Sequence, residues 1–254
     1  MLRRLVAASA FALAVSAFLV SGAPAAAQET GVYRTLTVQA APGGLLALVE
    51  LIKEERALLA SLGEEPPLWM RHIQGDVWDL MLLYPLAEVS EHFAPGRAAR
   101  ISAARTASGR TGAELAREID ARTAWREEVF VHGPQVAELK QAWAEAGLYH
   151  VEMYQGLAGK RDQLVRERRM ENAYATTLGR NATKIFTRIA GSATDGFTIG
   201  FYRDLKAYAN PPETTREQQE AAAVAAGFRG ADYIGATFRE LILRHHDTLA
   251  VPIP

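Results

Sequence analysis

Across 254 residues the chain carries 28 Lys and Arg against 29 Asp and Glu, a formal charge of −1, and no cysteine. That balance leaves no basic footprint for nucleic acid, and the lack of thiols excludes disulfides, thiolate catalysis and a lipid-modified cysteine anchor. The length suits two small domains, or one unit assembled from two similar parts.

Residues 1–27 read as a secretory signal. Arg3 and Arg4 give the positive start, Leu5 to Val20 the apolar run, and Ala25-Ala26-Ala27 a small-residue cleavage site before Gln28. The run is too short and too rich in Ala and Ser for a comfortable membrane span. The expected mature protein is soluble, periplasmic or secreted, with no membrane partner once the signal is gone. Loss of the two arginines moves the formal charge to about −3.

From residue 32 onward the sequence matches itself at an offset of 116. Tyr33 falls on Tyr149, Gln39 on Gln155, Gly43 on Gly159, Glu55 on Glu171, Gly63 on Gly179 and Asp79 on Asp195. Each copy opens on a run with strand composition, Val32 to Gln39 and Leu148 to Gln155. A glycine turn follows, then a helix of about five turns whose first copy aligns Leu48, Ile52, Leu59 and Leu62 on one face. Gly63 and Gly179 end the two helices. Two strands follow in each copy, Leu68 to Ile73 with Val77 to Leu83, and Lys184 to Ile189 with Phe197 to Phe201. The spacing predicts closing helices through Ala113 to Val131 and Ala231 to His246, with a strand at Glu128 to His132 as the alternative. Their ends match at an offset of 113, His132 on His245. A helix near Val136 to Ala146, with Leu139 and Trp143 on its apolar side, has no counterpart and reads as a linker.

The expected layout is α+β: tandem duplicated ferredoxin-like (split βαβ) domains forming an intramolecular dimeric α/β barrel. Its parts are a first repeat over 28–133, a linker over 134–147 and a second repeat over 148–254. One copy covers the apolar sheet face of the other. The opening Val32-Tyr33-Arg34-Thr35-Leu36-Thr37 with Pro42-Gly43, and Tyr149-His150-Val151-Glu152-Met153-Tyr154 with Gly159, resemble NIPSNAP-like domains of the dimeric α/β-barrel superfamily. The resemblance implies the fold. It leaves function among cofactor-free oxygenases, haem-binding enzymes and proteins of no known activity.

Glu55 and Glu171 fall within the apolar stripes of the two long helices. Two readings stay open: buried carboxylates with raised pKa values, fit for acid–base work, or groups at the stripe edge reaching water or an arginine such as Arg168. Strand alternation sets His150, Glu152 and Tyr154 on one face, able to serve acid–base chemistry, a metal or a ligand if that face lines a cavity, and without meaning if it faces solvent. His72 and Arg188 match as a cationic position that could neutralise a carboxylate or meet an anion, and Tyr202 follows the last strand of the second hairpin, either at a pocket mouth or starting a helix. Arg244-His245-His246-Asp247 offers metal-ligand types, but helical neighbours point about 100° apart, so no metal is assigned. No spacing singles out a haem ligand among the six histidines, and no cofactor is expected.

The leading expectation is a protein that binds a small, partly apolar molecule between sheet and helices, chiefly in the second half. The alternatives are a cofactor-independent oxygenase or isomerase and a structural or assembly protein; self-association is open. In the enzyme, Glu171 or His150 would abstract a proton, and Arg188 or Tyr154 would stabilise the anion, with Glu55, His72, Glu152 and Tyr202 holding the ligand.

Overall fold

Alternation along β1 (Gly31–Ala40) turns Tyr33, Thr35 and Thr37 one way, all buried, and Arg34 and Leu36 the other. A strand buried on one face and covered by a helix on the other needs partners on both edges. This computed structural model, which describes residues 30–253, supplies them throughout. The predicted signal, residues 1–27, lies outside the described residues.

After β1 come α1 (Leu45–Ser61), β2 (Leu68–Gln74), β3 (Leu80–Leu86), α2 (Val89–His92), α3 (Pro95–Ala107), α4 (Gly112–Ala121) and β4 (Thr123–Gly133). The chain continues through α5 (Val136–Glu145), β5 (Leu148–Gly156), α6 (Arg161–Thr177), β6 (Lys184–Gly191) and β7 (Gly196–Tyr202). It ends with α7 (Leu205–Ala209), α8 (Arg216–Ala226), a 3₁₀ turn at Ala231–Tyr233, α9 (Ile234–Arg239) and β8 (Ile242–Pro252). The strands close into an antiparallel barrel in the order β1-β3-β2-β8-β5-β7-β6-β4. The seams β2–β8 and β4–β6 join the first four strands to the last four, so no edge is left open.

Side chains fill the barrel. Tyr33, Tyr149, Met70, Met81, Phe186 and Phe197 have no exposed surface, and Phe186 stacks on Phe197 at 4.5 Å between centroids. Ligand space therefore lies mainly outside the strands, under the helices. There α1 seals Trp69, Leu80 and Leu82 with Leu48 and Ile52, while Leu164 of α6 meets Tyr154, Phe238 and Leu241.

Both long helices stop where expected: Gly63 and Gly179 adopt φ of 72° and 68°, the left-handed region glycine enters without strain. The hairpin after β2 differs from expectation. Its turn runs on through Asp79, whose carboxylate accepts from Ala40 N at 2.8 Å, so β3 starts at Leu80 rather than Val77.

The closing segments are the main correction. Helix occupies only Gly112–Ala121 and Ile234–Arg239, and the chain then runs as the long strands β4 and β8. Val129 and Val131 enter the barrel while Phe130 faces the helices. A strand apolar on both faces mimics helical spacing in sequence. The matching of His132 with His245 fails too. Strand register sets Val131 opposite Tyr33 and Ala250 opposite Tyr149, whereas His132 lies opposite Val32 and His245 opposite Tyr154.

Among the described residues, no helix is long and apolar enough to cross a membrane.

Candidate functional site

Over the outer face of β5 lies a cleft of about 550 Å³. Its floor is His150 and Glu152 from β5, Thr198 from β7 and Asp247 from β8. One wall is α6, through Glu171, Asn172 and Tyr174; the other is Tyr202 at the end of β7 with Tyr208 of α7. Local sequence holds these walls in place. Asn172 clamps the segment leading into β6, donating to Thr183 O at 2.8 Å and accepting from Thr183 N at 2.8 Å. Asp204 caps α7 by accepting from Ala207 N at 2.7 Å, which brings Tyr208 edge-on to Tyr202 and 5.4 Å from the His150 ring.

Beneath the floor, Arg168 of α6 is 3% exposed and faces three carboxylates. It meets Glu152 at 2.7 Å, Glu167 at 2.7 Å and Glu171 at 2.9 Å, with its guanidinium 3.8 Å from the Phe238 ring centroid. One cation cannot neutralise three clustered acids, two of them largely out of water, so the acids compete for protons. Burial, with Glu171 and Asp247 nearby, outweighs Arg168 and pushes the Glu152 carboxyl up to about 7. Burial also raises Glu167, whose Oε1 has no partner among the described residues.

Asp247 is held below the usual carboxylate range, chiefly by its bond with His150 Nε2 at 3.0 Å. A carboxyl that titrates near neutrality, beside a histidine oriented by an aspartate, can accept and return a proton from a bound molecule. Burial likewise raises Tyr202 and Tyr208, which stay protonated as donors or apolar walls.

The sign of the Glu152 shift fixes a pH dependence. Between its ordinary 4.5 and about 7 the folded protein holds a proton that the unfolded chain has released. Stability from this group is therefore complete below pH 4.5 and lost as pH rises through 7. Urea unfolding of Glu152→Gln should show a flatter fall in stability between pH 5 and 8 than the parent; an equal slope would contradict the shift.

Of the predicted site residues, the structure gathers His150, Glu152, Glu171 and Tyr202 around one cleft. Glu171 is not buried: it sits at the stripe edge, 40% exposed, paired to Arg168. The buried face of α6 is Leu164, Glu167 and Arg168 instead. Glu55 is on the other long helix, α1, paired with Arg105 of α3 at 3.3 Å. His72 and Arg188 are not in the cleft: they share strand faces with Met70 and Phe186, which fill the barrel. Arg188 is bound to Asp195, and the His72 ring centroid is 5.9 Å from that of Trp78. Tyr154 is buried against Phe238 beside the cluster, its hydroxyl unpartnered among the described residues.

Sequence reasoning missed Asp247 as the partner of His150, because β8 was read as helix. On the strand, His245 and Asp247 face out while His246 turns the other way and meets Asp76 at 3.6 Å. Among the described residues no three His, Asp or Glu side chains are grouped to hold a metal. Haem does not fit this cleft either: the Nε2 of its one histidine is bonded to Asp247 and the nearby floor is carboxylate, where an axial ligand needs an apolar wall.

No protein-family model matches the chain, and no curated protein matches it in sequence. Solved structures do share its architecture. A crystal structure of an anthrone oxidase-like protein aligns over 89% of this chain and 92% of its own, with a TM-score of 0.58 and 8% identity. A chlorite dismutase from Candidatus Nitrospira defluvii aligns over 89% and 92%, with a TM-score of 0.49 and 14% identity. The likeness is one of fold, the dimeric α/β-barrel (ferredoxin-like) class.

Proposed function

We propose that the chain is an exported, tandemly duplicated α/β-barrel protein of NIPSNAP-like type, which binds a small, partly apolar molecule in the cleft over β5. The observation that carries this reading is the cleft itself: tyrosine walls above a floor of His150, Glu152 and Asp247, backed by a buried arginine. Apolar rings with a few fixed polar groups are the usual makings of a small-molecule site. Export rests on the sequence of residues 1–27 alone, and intact mass of the secreted protein would test it through loss of those residues.

The Glu152 carboxyl favours a second reading on the same site, a cofactor-independent oxygenase or isomerase. Glu152, rather than Glu171, would then remove a proton from an acidic C–H, with His150 and the tyrosines donating to the oxygen that gains charge. Anthrone is a suitable probe, given the name of the structural neighbour. Loss of its methylene proton gives an enolate. One O₂ then converts each anthrone to one anthraquinone and one water, the carbon being oxidised and the oxygen reduced.

Oxygen uptake with anthrone, corrected for the uncatalysed rate, should show turnover if this reading holds. Native mass spectrometry of protein from the exported fraction tests binding separately. A retained small molecule without turnover supports binding alone; neither a retained molecule nor turnover would remove both readings.

A further inference from the structure

A second cleft, of about 570 Å³, lies over the outer face of β1 beneath α1 and α3. Its strand positions correspond to those of the first, but its chemistry is different. Arg34 and Glu128 hold on β1 and β4 the diagonal pairing that His150 and Asp247 hold on β5 and β8. Leu36 faces α1 where Glu152 faces α6. One floor carboxylate remains, Glu128, and it is tied to Arg34.

What lines this cleft is three arginines, one carboxylate (Glu55) and apolar side chains. The Arg34 guanidinium lies 4.8 Å from the Tyr84 ring centroid, Arg97 is held by Glu64 at 2.7 Å, and Arg105 reaches Glu55 at 3.3 Å. Leu59 and Ile101, both buried, supply the apolar part of the wall. The ion pairs use only part of the donors. Arg34 bonds through Nε alone and Arg105 through one terminal nitrogen, while the buried Nε of Arg105 has no partner among the described residues. A guanidinium has five N–H groups in a fork that matches a carboxylate. Burial, and then the charges of Arg34 and Arg97, hold the His92 imidazole below its ordinary value against the opposing pull of Glu128 and Glu64.

We propose that the cleft over β1 is a separate site for a small organic carboxylate with an apolar body, whose charge would meet Arg34 and Arg105 and whose body would lie along Tyr84, Leu59 and Ile101. The proposal does not depend on the reading of the β5 cleft.

The probe is 4-ethylbenzoate, with 4-ethylbenzamide as its uncharged twin, titrated into the signal-free protein by calorimetry. Expected is saturable binding of the benzoate, at least ten-fold weaker binding of the amide, and at least ten-fold loss of benzoate affinity in Arg34→Gln. Arg105→Gln gives a second reading if Arg34→Gln unfolds, as circular dichroism would reveal. Glu152→Gln should leave benzoate binding within two-fold. Equal binding of acid and amide, no binding, or loss in Glu152→Gln with none in the arginine variants would each overturn the proposal.

Discussion

Replacing Arg168 with methionine is expected to cost about 3–5 kcal/mol of stability near pH 8, where the acids it faces are most ionised. Methionine approximates the stem but leaves Glu152, Glu167 and Glu171 without their cation, two of them buried. The penalty should shrink towards pH 5, because freed carboxylates escape burial as anions by taking up protons. Urea unfolding at both pH values measures this. A loss below about 1 kcal/mol, the same at both, would mean that the cluster is solvated and its charges matter little.

The first half suggests a companion variant. At the 116-residue offset Leu36, Leu51 and Ile52 match Glu152, Glu167 and Arg168 in sequence, and the side chains of Leu51 and Ile52 are buried. Introducing that apolar trio together should recover most of what the single replacement loses, since buried ion pairs seldom outperform well-packed hydrophobes. Recovery would mean that the charged version is not needed for the fold, which strengthens the case for a chemical role.

Glu152→Gln is expected to reduce proton-abstracting turnover by roughly 10²–10⁴-fold while preserving shape. The amide keeps an oxygen for Arg168 but cannot accept the substrate proton. In the parent protein the rate should climb with pH and level off above about 7, as Glu152 gives up its proton. Stopped-flow or oxygen-electrode rates on anthrone across pH 5 to 9 check both effects. A variant with parental turnover, or a parent whose rate is flat through neutrality, would exclude Glu152 as the base.

Much of the barrel could be read before any coordinates. The paired tyrosines at 33 and 149 both lie at zero exposure inside it, and the helix-ending glycines take the backbone conformation that motivated their assignment. Alternation along residues 149–155 separated His150 and Glu152 from Tyr149 and Val151 correctly. The closing segments were read as helices, with a strand at Glu128 to His132 only as the alternative, because residues 129–131 are apolar on consecutive positions, a pattern shared by doubly buried strands and buried helices. That error hid Asp247, whose side chain reaches the cleft only if the segment alternates. On α6, Glu171 sits at the stripe edge beside Arg168, one of the two readings left open, while Glu167 was not singled out. Charged residues fill the buried face of that helix at Glu167 and Arg168, so hydrophobic spacing pointed to Glu171, at its rim.

The last strand has a kinetic consequence. β8 bonds on one side to β5 and on the other to β2, where Met70 lies opposite Pro252. That second seam links residues 175 to 182 positions apart, so chain-closure entropy must be overcome before it forms. Until residues near 250 are available, a partly made molecule exposes two unpaired edges, at β2 and β5. The open sheet would invite pairing with other chains, and docking of residues 242–252 would act as the latch that ends that vulnerability.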